Sequence, residues 1–138
     1  MKADQVLSFD EMSRLADALE KIQNEVQWKP GKDFIHLDKR RKLKHLPQAA
    51  SISDYEGLIH EIVKNRLNIL YLYEFGRTHY YAARGVADDT DWIVLFGAGG
   101  LMETAFPPEN IDDYIARRGF IFLGYIEEVL KWTKEVKK

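Results

Sequence analysis

The hydrophobic pattern changes period along the chain. Met12, Leu15, Leu19, Ile22 and Val26 recur at helical spacing, opposite Asp17, Glu20, Lys21 and Glu25. Ser8, with Glu11 three residues on, has the form of a capping box that opens this helix. Trp28 is placed to anchor its end before Pro30-Gly31 breaks it. From Lys32 to Pro47 the pattern weakens: Phe34, Ile35 and Leu37 suggest a short extended piece carrying His36. Asp38 to Leu46 is dense in like charge, which argues against a helix there, although Leu43 and Leu46 could pin one turn. A second helix follows, with Ser51 or Ser53 as its cap and Tyr55, Leu58, Ile59, Ile62 and Val63 on its buried side.

Beyond Asn65 the period becomes two. Ile69 to Phe75 predicts a strand, Gly76-Arg77 a turn, and Thr78 to Ala83 its hairpin partner. A turn through Gly85, Asp88, Asp89 and Thr90 leads into a second hairpin, Trp92 to Phe96 and Leu101 to Phe106, joined by Gly97-Ala98-Gly99-Gly100. Strict alternation would put Met102, Thr104 and Phe106 on one face and Leu101, Glu103 and Ala105 on the other. Pro107-Pro108 stops the strand. The tail reverts to helix, Glu109 to Arg117 with Gly119 as a stop, then Phe120 to Val136. The expectation is one α+β domain over 1–138: an N-terminal helix over 8–27, a helix and sheet core over 43–108, and C-terminal helices over 109–138. Its sheet would be a four-stranded antiparallel meander with helices against one face.

Composition narrows the class. The chain has 138 residues, 46% apolar and 30% charged, which fits an ordinary globular domain with one real core. Cysteine is absent, which removes disulfides and thiolate metal sites. No signal-like apolar segment opens the chain and no apolar run approaches membrane-spanning length, so a cytoplasmic protein without a membrane partner is expected. The net charge of −2 hides a basic cluster of Lys29, Lys32, Lys39, Arg40, Arg41, Lys42 and Lys44. Such a patch reads either as a solvated face or as a phosphate-facing surface, with Lys39 to Lys42 and Lys44 as its RNA-binding candidates.

The chemistry-bearing residues point away from several enzyme classes. His36, His45, His60 and His79 have no metal-ligand spacing, and no cofactor motif stands out. The glycine turn at 97–100 precedes a strand-like run, unlike a nucleotide-binding loop that opens a helix. No G-x-S-x-G elbow occurs. What remains is histidine, basic side chains, tyrosines and the hydroxyl of Thr104. RNA carries its own nucleophile, the 2′-hydroxyl, so its cleavage needs only a base, an acid and cations over the phosphorane. His45 would serve as base or acid, with His36 as the alternative histidine. Arg84 or Lys44 would hold the phosphate, and Thr104 with Tyr80 or Tyr81 would bond its oxygens.

Lys44-His45-Leu46, the helix Ser-x-x-x-Tyr-x-x-Leu-Ile, the strands around Tyr80-Tyr81, and above all Asp-Trp-Ile-Val-Leu-Phe followed by Met-Glu-Thr-Ala-Phe-Pro-Pro carry a resemblance. Over about Leu43 to Pro108 the chain resembles the bacterial ribonuclease domains of the barnase, EndoU, colicin and RelE group, found in polymorphic toxins and phage-associated proteins. The resemblance implies N-terminal helices on a four-stranded antiparallel sheet and metal-independent cleavage of RNA, often tRNA. It assigns His45 to the early histidine and Thr104 to the late hydroxyl, with Arg84 and Tyr81 matched by their place at the end of the second strand. Two other classes stay open. One is a non-catalytic interaction module, such as an immunity, antitoxin or phage accessory protein, presenting Tyr71, Tyr73, Tyr80 and Tyr81 to a cognate inhibitor or toxin. The other is an RNA-binding domain that does not cleave.

Overall fold

The computed structural model describes residues 7–136, so the opening tail and last two residues of the expected 1–138 domain lie outside the described residues. Helix α1 (Phe9–Asn24) starts at the expected capping box: Glu11 N–H donates to the Ser8 hydroxyl at 3.2 Å and Ser8 N–H to the Glu11 carboxylate at 3.0 Å. It buries Leu15, Ala18, Leu19 and Ile22. After it come β1 (Gln27–Trp28), α2 (Lys32–Lys42) and α3 (Ile52–Lys64). Ser51, not Ser53, caps α3, in a reciprocal box with Asp54. Strands β2 (Ile69–Phe75), β3 (Thr78–Ala87) and β4 (Thr90–Phe96) follow, then a short turn of 3₁₀ helix (Ala98–Gly100) and β5 (Leu101–Phe106). Helix α4 (Ile111–Arg118), β6 (Ile121–Tyr125) and α5 (Ile126–Val136) complete the fold.

The fold is α+β, but its sheet is larger than the meander expected. Six strands run in the order β1-β5-β4-β3-β2-β6. The β2 to β5 meander is antiparallel, as its turns require, β6 pairs antiparallel to β2, and β1 pairs parallel to β5. Residues 121–125, expected as the start of a helix, form that edge strand instead, and the chain turns helical only at Ile126. Residues 32–42, expected as extended or irregular, form α2. Four cations sit in its last turn, where the unpaired carbonyls favour positive charge.

Both sheet faces are covered, which corrects the expectation of helices on one. Leu70, Leu72, Ala83, Val94 and Phe96 join the main core with residues of α1, α3 and α5. Tyr71, Ala82 and Ile93 on the other face pack against Ile111 of α4. The face assignment in β5 is corrected too. Leu95 pairs with Thr104 but Phe96 with Met102, so Glu103 is an extra residue, a β-bulge. The bulge turns Met102 into the main core and leaves Thr104 and Phe106 on the α4 face. No described helix is long and apolar enough to cross a membrane.

Candidate active site

The site grows from the fit between α2 and the outer edge of β5. Two strand residues advance about 6.7 Å and four helical residues about 6 Å. Side chains at i and i+4 of a helix can therefore sit over side chains at j and j+2 of a strand. Here His36 and Arg40 of α2 meet Thr104 and Phe106 of β5. His36 Nδ1 lies 3.3 Å from Thr104 Oγ1, and the Arg40 guanidinium carbon lies 5.5 Å from the centroid of the Phe106 ring.

Two further aromatic residues hold this contact. Trp28 of β1 stacks on His36, with centroids 5.8 Å apart and planes inclined by 27°, while its indole N–H donates to Glu56 at 2.9 Å. Tyr55 of α3 reaches the β5 edge beyond the two-residue β1. Its hydroxyl donates to the Ala105 carbonyl at 2.5 Å and accepts the Ala105 N–H at 3.2 Å, so one side chain replaces the missing ladder partner. Burial pushes the Tyr55 phenol up to about 12, against smaller opposing effects from Arg40, Ala105 and the nearby Thr104 hydroxyl.

A cavity of about 360 Å³ opens over His36 and Thr104, with Lys29, Lys32, Glu103 and Leu95 also in its wall. The Lys29 ammonium pairs with Glu103 at 2.8 Å. Burial lowers the His36 pKa, and the positive charges of Arg40, Lys32 and Lys39 lower it further against a weaker pull from Glu103. The imidazole is thus neutral at neutral pH and able to accept a proton. Arg40 is only 3% exposed. One of its nitrogens lies 3.0 Å from His45 Nδ1, and its Nε has no hydrogen-bond partner among the described residues. Among the described residues no carboxylate forms a salt bridge with it. A buried cation without a counter-ion is costly, and it projects positive potential onto both histidines.

The residues singled out from the sequence are divided among several places. Thr104 lines the cavity. His45 follows α2, held by Arg40 and edge-on to Trp92 at 6.4 Å, and burial followed by the Arg40 charge lowers its pKa. His36, the alternative histidine, is the one that meets Thr104. Arg84 is bound to Asp112 at 2.9 Å and lies 3.9 Å from Asp91, two strands away from Thr104. Tyr81 is 3% exposed under the helices. Strand alternation instead puts Tyr80 on the Thr104 face, close enough to Lys29 to interact electrostatically. The tyrosine face drawn for a protein partner does not form as a unit, because Tyr71 and Tyr81 are buried in separate cores on opposite faces.

The basic run is split in the same way. Lys39, Lys42 and Lys44 are exposed, Arg40 turns inward, and Arg41 donates to the Ala50 carbonyl while pairing with Asp38. From sequence, Trp28 and Tyr55 have only packing roles, and Lys29 and Lys32 appear only as members of the possible phosphate-facing cluster. The available signal was the His36–Arg40 spacing, visible only once 32–42 is read as helix. Among the described residues no group of three His, Asp or Glu could hold a metal ion. No family model, curated protein or solved structure matches the chain.

Proposed function

We propose that this protein is an endoribonuclease that cleaves RNA through attack of the 2′-hydroxyl on the adjacent phosphate. The observation that carries the reading is the His36–Thr104 contact at the wall of a lysine-edged cavity. In this mechanism neutral His36 takes the 2′-hydroxyl proton, and Thr104 holds the imidazole in place. The 2′-oxygen bonds to phosphorus as the bond to the 5′-oxygen breaks, leaving a 2′,3′-cyclic phosphate and a 5′-hydroxyl. The ammonium groups of Lys29 and Lys32 are assigned to the phosphoryl oxygens and to proton delivery at the leaving oxygen. Arg40 favours the extra negative charge of the phosphorane through a medium of low dielectric. The nucleophile belongs to the substrate, so the reading needs no nucleophilic side chain and no metal.

The test compares parent protein with His36→Ala, Thr104→Ala and His45→Ala on a mixed tRNA and mRNA pool in EDTA. His36→Ala should lose on the order of 10²-fold or more in rate, the usual contribution of general acid–base catalysis. Thr104→Ala should lose part of that, and His45→Ala should stay nearer the parent. RNA left intact by well-folded parent protein would end the reading. Salt-sensitive RNA binding without cleavage would put a non-cleaving RNA-binding domain in its place.

A further inference from the structure

We infer that Tyr80, Tyr73 and Phe75 form a stacking platform for unpaired bases, which takes single-stranded RNA across the sheet from the His36–Thr104 cavity. The assignment of the cleaved phosphate to that cavity rests on the ribonuclease reading; the binding of a single strand does not.

The platform begins beside the cavity, at a glycine. Ile93 and Leu95 of β4 face the α4 side of the sheet, and Gly97 is the next residue of that parity. Leu95 is already in the cavity wall. Gly97 has no side chain, and the Tyr80 ring lies over it: a Cβ added there would be 3.5 Å from Tyr80 Cδ1 and 3.6 Å from Cε1. Thr104 pairs with Leu95, so Tyr80 stands two strand spacings across the sheet and one pleat repeat along it. That separation is about 12 Å between backbones, a span that a ribose and its base can bridge.

Two more rings continue the row. Tyr73 is directly opposite Tyr80 on β2, with centroids 6.3 Å apart and planes inclined by 32°. Phe75, two residues further on the same face, follows at 6.2 Å and 41°. Phe120 packs on Tyr73 at 5.1 Å and holds the middle ring.

Core packing does not account for this row. Tyr73 and Tyr80 are half-buried, and Phe75 is 66% exposed. A base can stack on such a ring whatever its identity, provided that it is not already paired and stacked in a duplex. The charges at the two ends suit a phosphate backbone. Lys29 and Lys32 stand in the cavity wall, where Lys29 neutralises Glu103, and exposed Arg77 occupies the β2–β3 turn beside Phe75. Among the described residues neither Lys32 nor Arg77 forms a salt bridge.

The experiment is fluorescence anisotropy with a labelled 2′-fluoro RNA octamer of mixed sequence, which lacks the nucleophilic hydroxyl and stays intact. The parent should bind the single strand and lose it when the complementary strand is annealed. Phe75→Ala and Tyr80→Leu should each weaken binding on the order of tenfold, the scale of one base–aromatic stack, while Tyr80→Phe keeps it. The slope of log affinity against log salt should stay at the parent value in both weakened variants and become shallower in Lys32→Ala. Phe75 is largely exposed, so its variant tests the platform without disturbing the core. An octamer that the parent does not bind, equal binding of the duplex, or a folded Phe75→Ala or Tyr80→Leu protein that binds like the parent overturns the inference. If the octamer and variants behave as expected but the parent leaves natural RNA intact, the ribonuclease reading fails while the platform stands. If the parent cleaves RNA and both variants bind like the parent, the platform fails alone.

Discussion

The guanidinium of Arg40 lies over the ring of Phe106, 5.5 Å from its centroid, one helical turn from the point where His36 meets Thr104. The pairing lets α2 lie along the β5 edge, yet it places a cation in a site only 3% exposed, where no carboxylate among the described residues forms a salt bridge with it. A ring face attracts a cation by about 0.5–2 kcal/mol, less than the desolvation of a buried charge. Stability alone does not explain an arginine at this position.

Replacing Arg40 by methionine should therefore leave the protein as stable or make it more stable, by up to about 4 kcal/mol. The His36 and His45 pKa values should rise together, because the Arg40 charge helps to lower both. Urea unfolding and NMR titration of the histidines check the two halves of this statement. A loss of several kcal/mol, or histidine titrations that stay in place, would show that Arg40 is a structural cation and nothing more.

Acid sensitivity should begin above the carboxylate range. His36 and His45 both have folded pKa values below the ordinary 6.5, chiefly through burial. Between the folded and unfolded values the unfolded chain binds more protons, so stability rises with pH across that window. The contribution is complete above about 6.5 and is lost as pH falls below it. Unfolding midpoints in urea should drop on acidification through this range, and His36→Gln should reduce the drop. A flat profile there would contradict the lowered values. Groups acting on His36 are Arg40, Lys32, Lys39 and Glu103, so the acidic limb of any His36-dependent activity should also lie below 6.5.

Two neighbouring glycines should differ sharply. Gly99 and Gly100 both have left-handed backbones, with φ of 70° and 78°. A Cβ on Gly99 meets nothing within 4 Å, whereas one on Gly100 meets the Ala18 carbonyl and the Ile22 amide nitrogen of α1 at 2.9 Å each. Gly99→Ala should cost only the backbone term, about 1–2 kcal/mol. Gly100→Ala should cost clearly more, since α1 must move off the turn. Equal losses in thermal or urea unfolding would mean that α1 does not pack this closely.

Much of this architecture was legible from pattern alone, and the exceptions have physical causes. The helical stripe from Met12 to Ile22, the Ser8 box and the Gly76-Arg77 turn are local signals that tertiary packing leaves intact, whereas β3 runs on through Gly85 to Ala87 and leaves only Asp88 and Asp89 in the next turn. Gln27–Trp28 is too short to show any period, and it pairs with a residue run more than seventy positions away. Ile126, Val129 and Leu130 recur at helical spacing, and the five residues of β6 that precede them carry too short a pattern to separate strand from helix. The like charges at 39–42 argued against a helix, but they cluster at a C-terminus that tolerates them. At the site, Thr104 was found because a hydroxyl interrupts an apolar strand. An extended reading of 34–37 hides the alignment of His36 with Arg40, which appears only when 32–42 is helical. The resemblance places Tyr81 only by its position near the end of the second strand, and the sheet register puts it on the face opposite Thr104.

The most direct measurement is end-group analysis of a short RNA after incubation in EDTA, beside the same RNA with one 2′-deoxynucleotide at the cleaved position. The parent protein should yield a 2′,3′-cyclic phosphate and a 5′-hydroxyl, the deoxy substrate should stay intact, and His36→Ala should abolish the products. Cleavage of the deoxy substrate, 5′-phosphate ends, or full activity in folded His36→Ala would contradict a His36-driven attack by the 2′-hydroxyl.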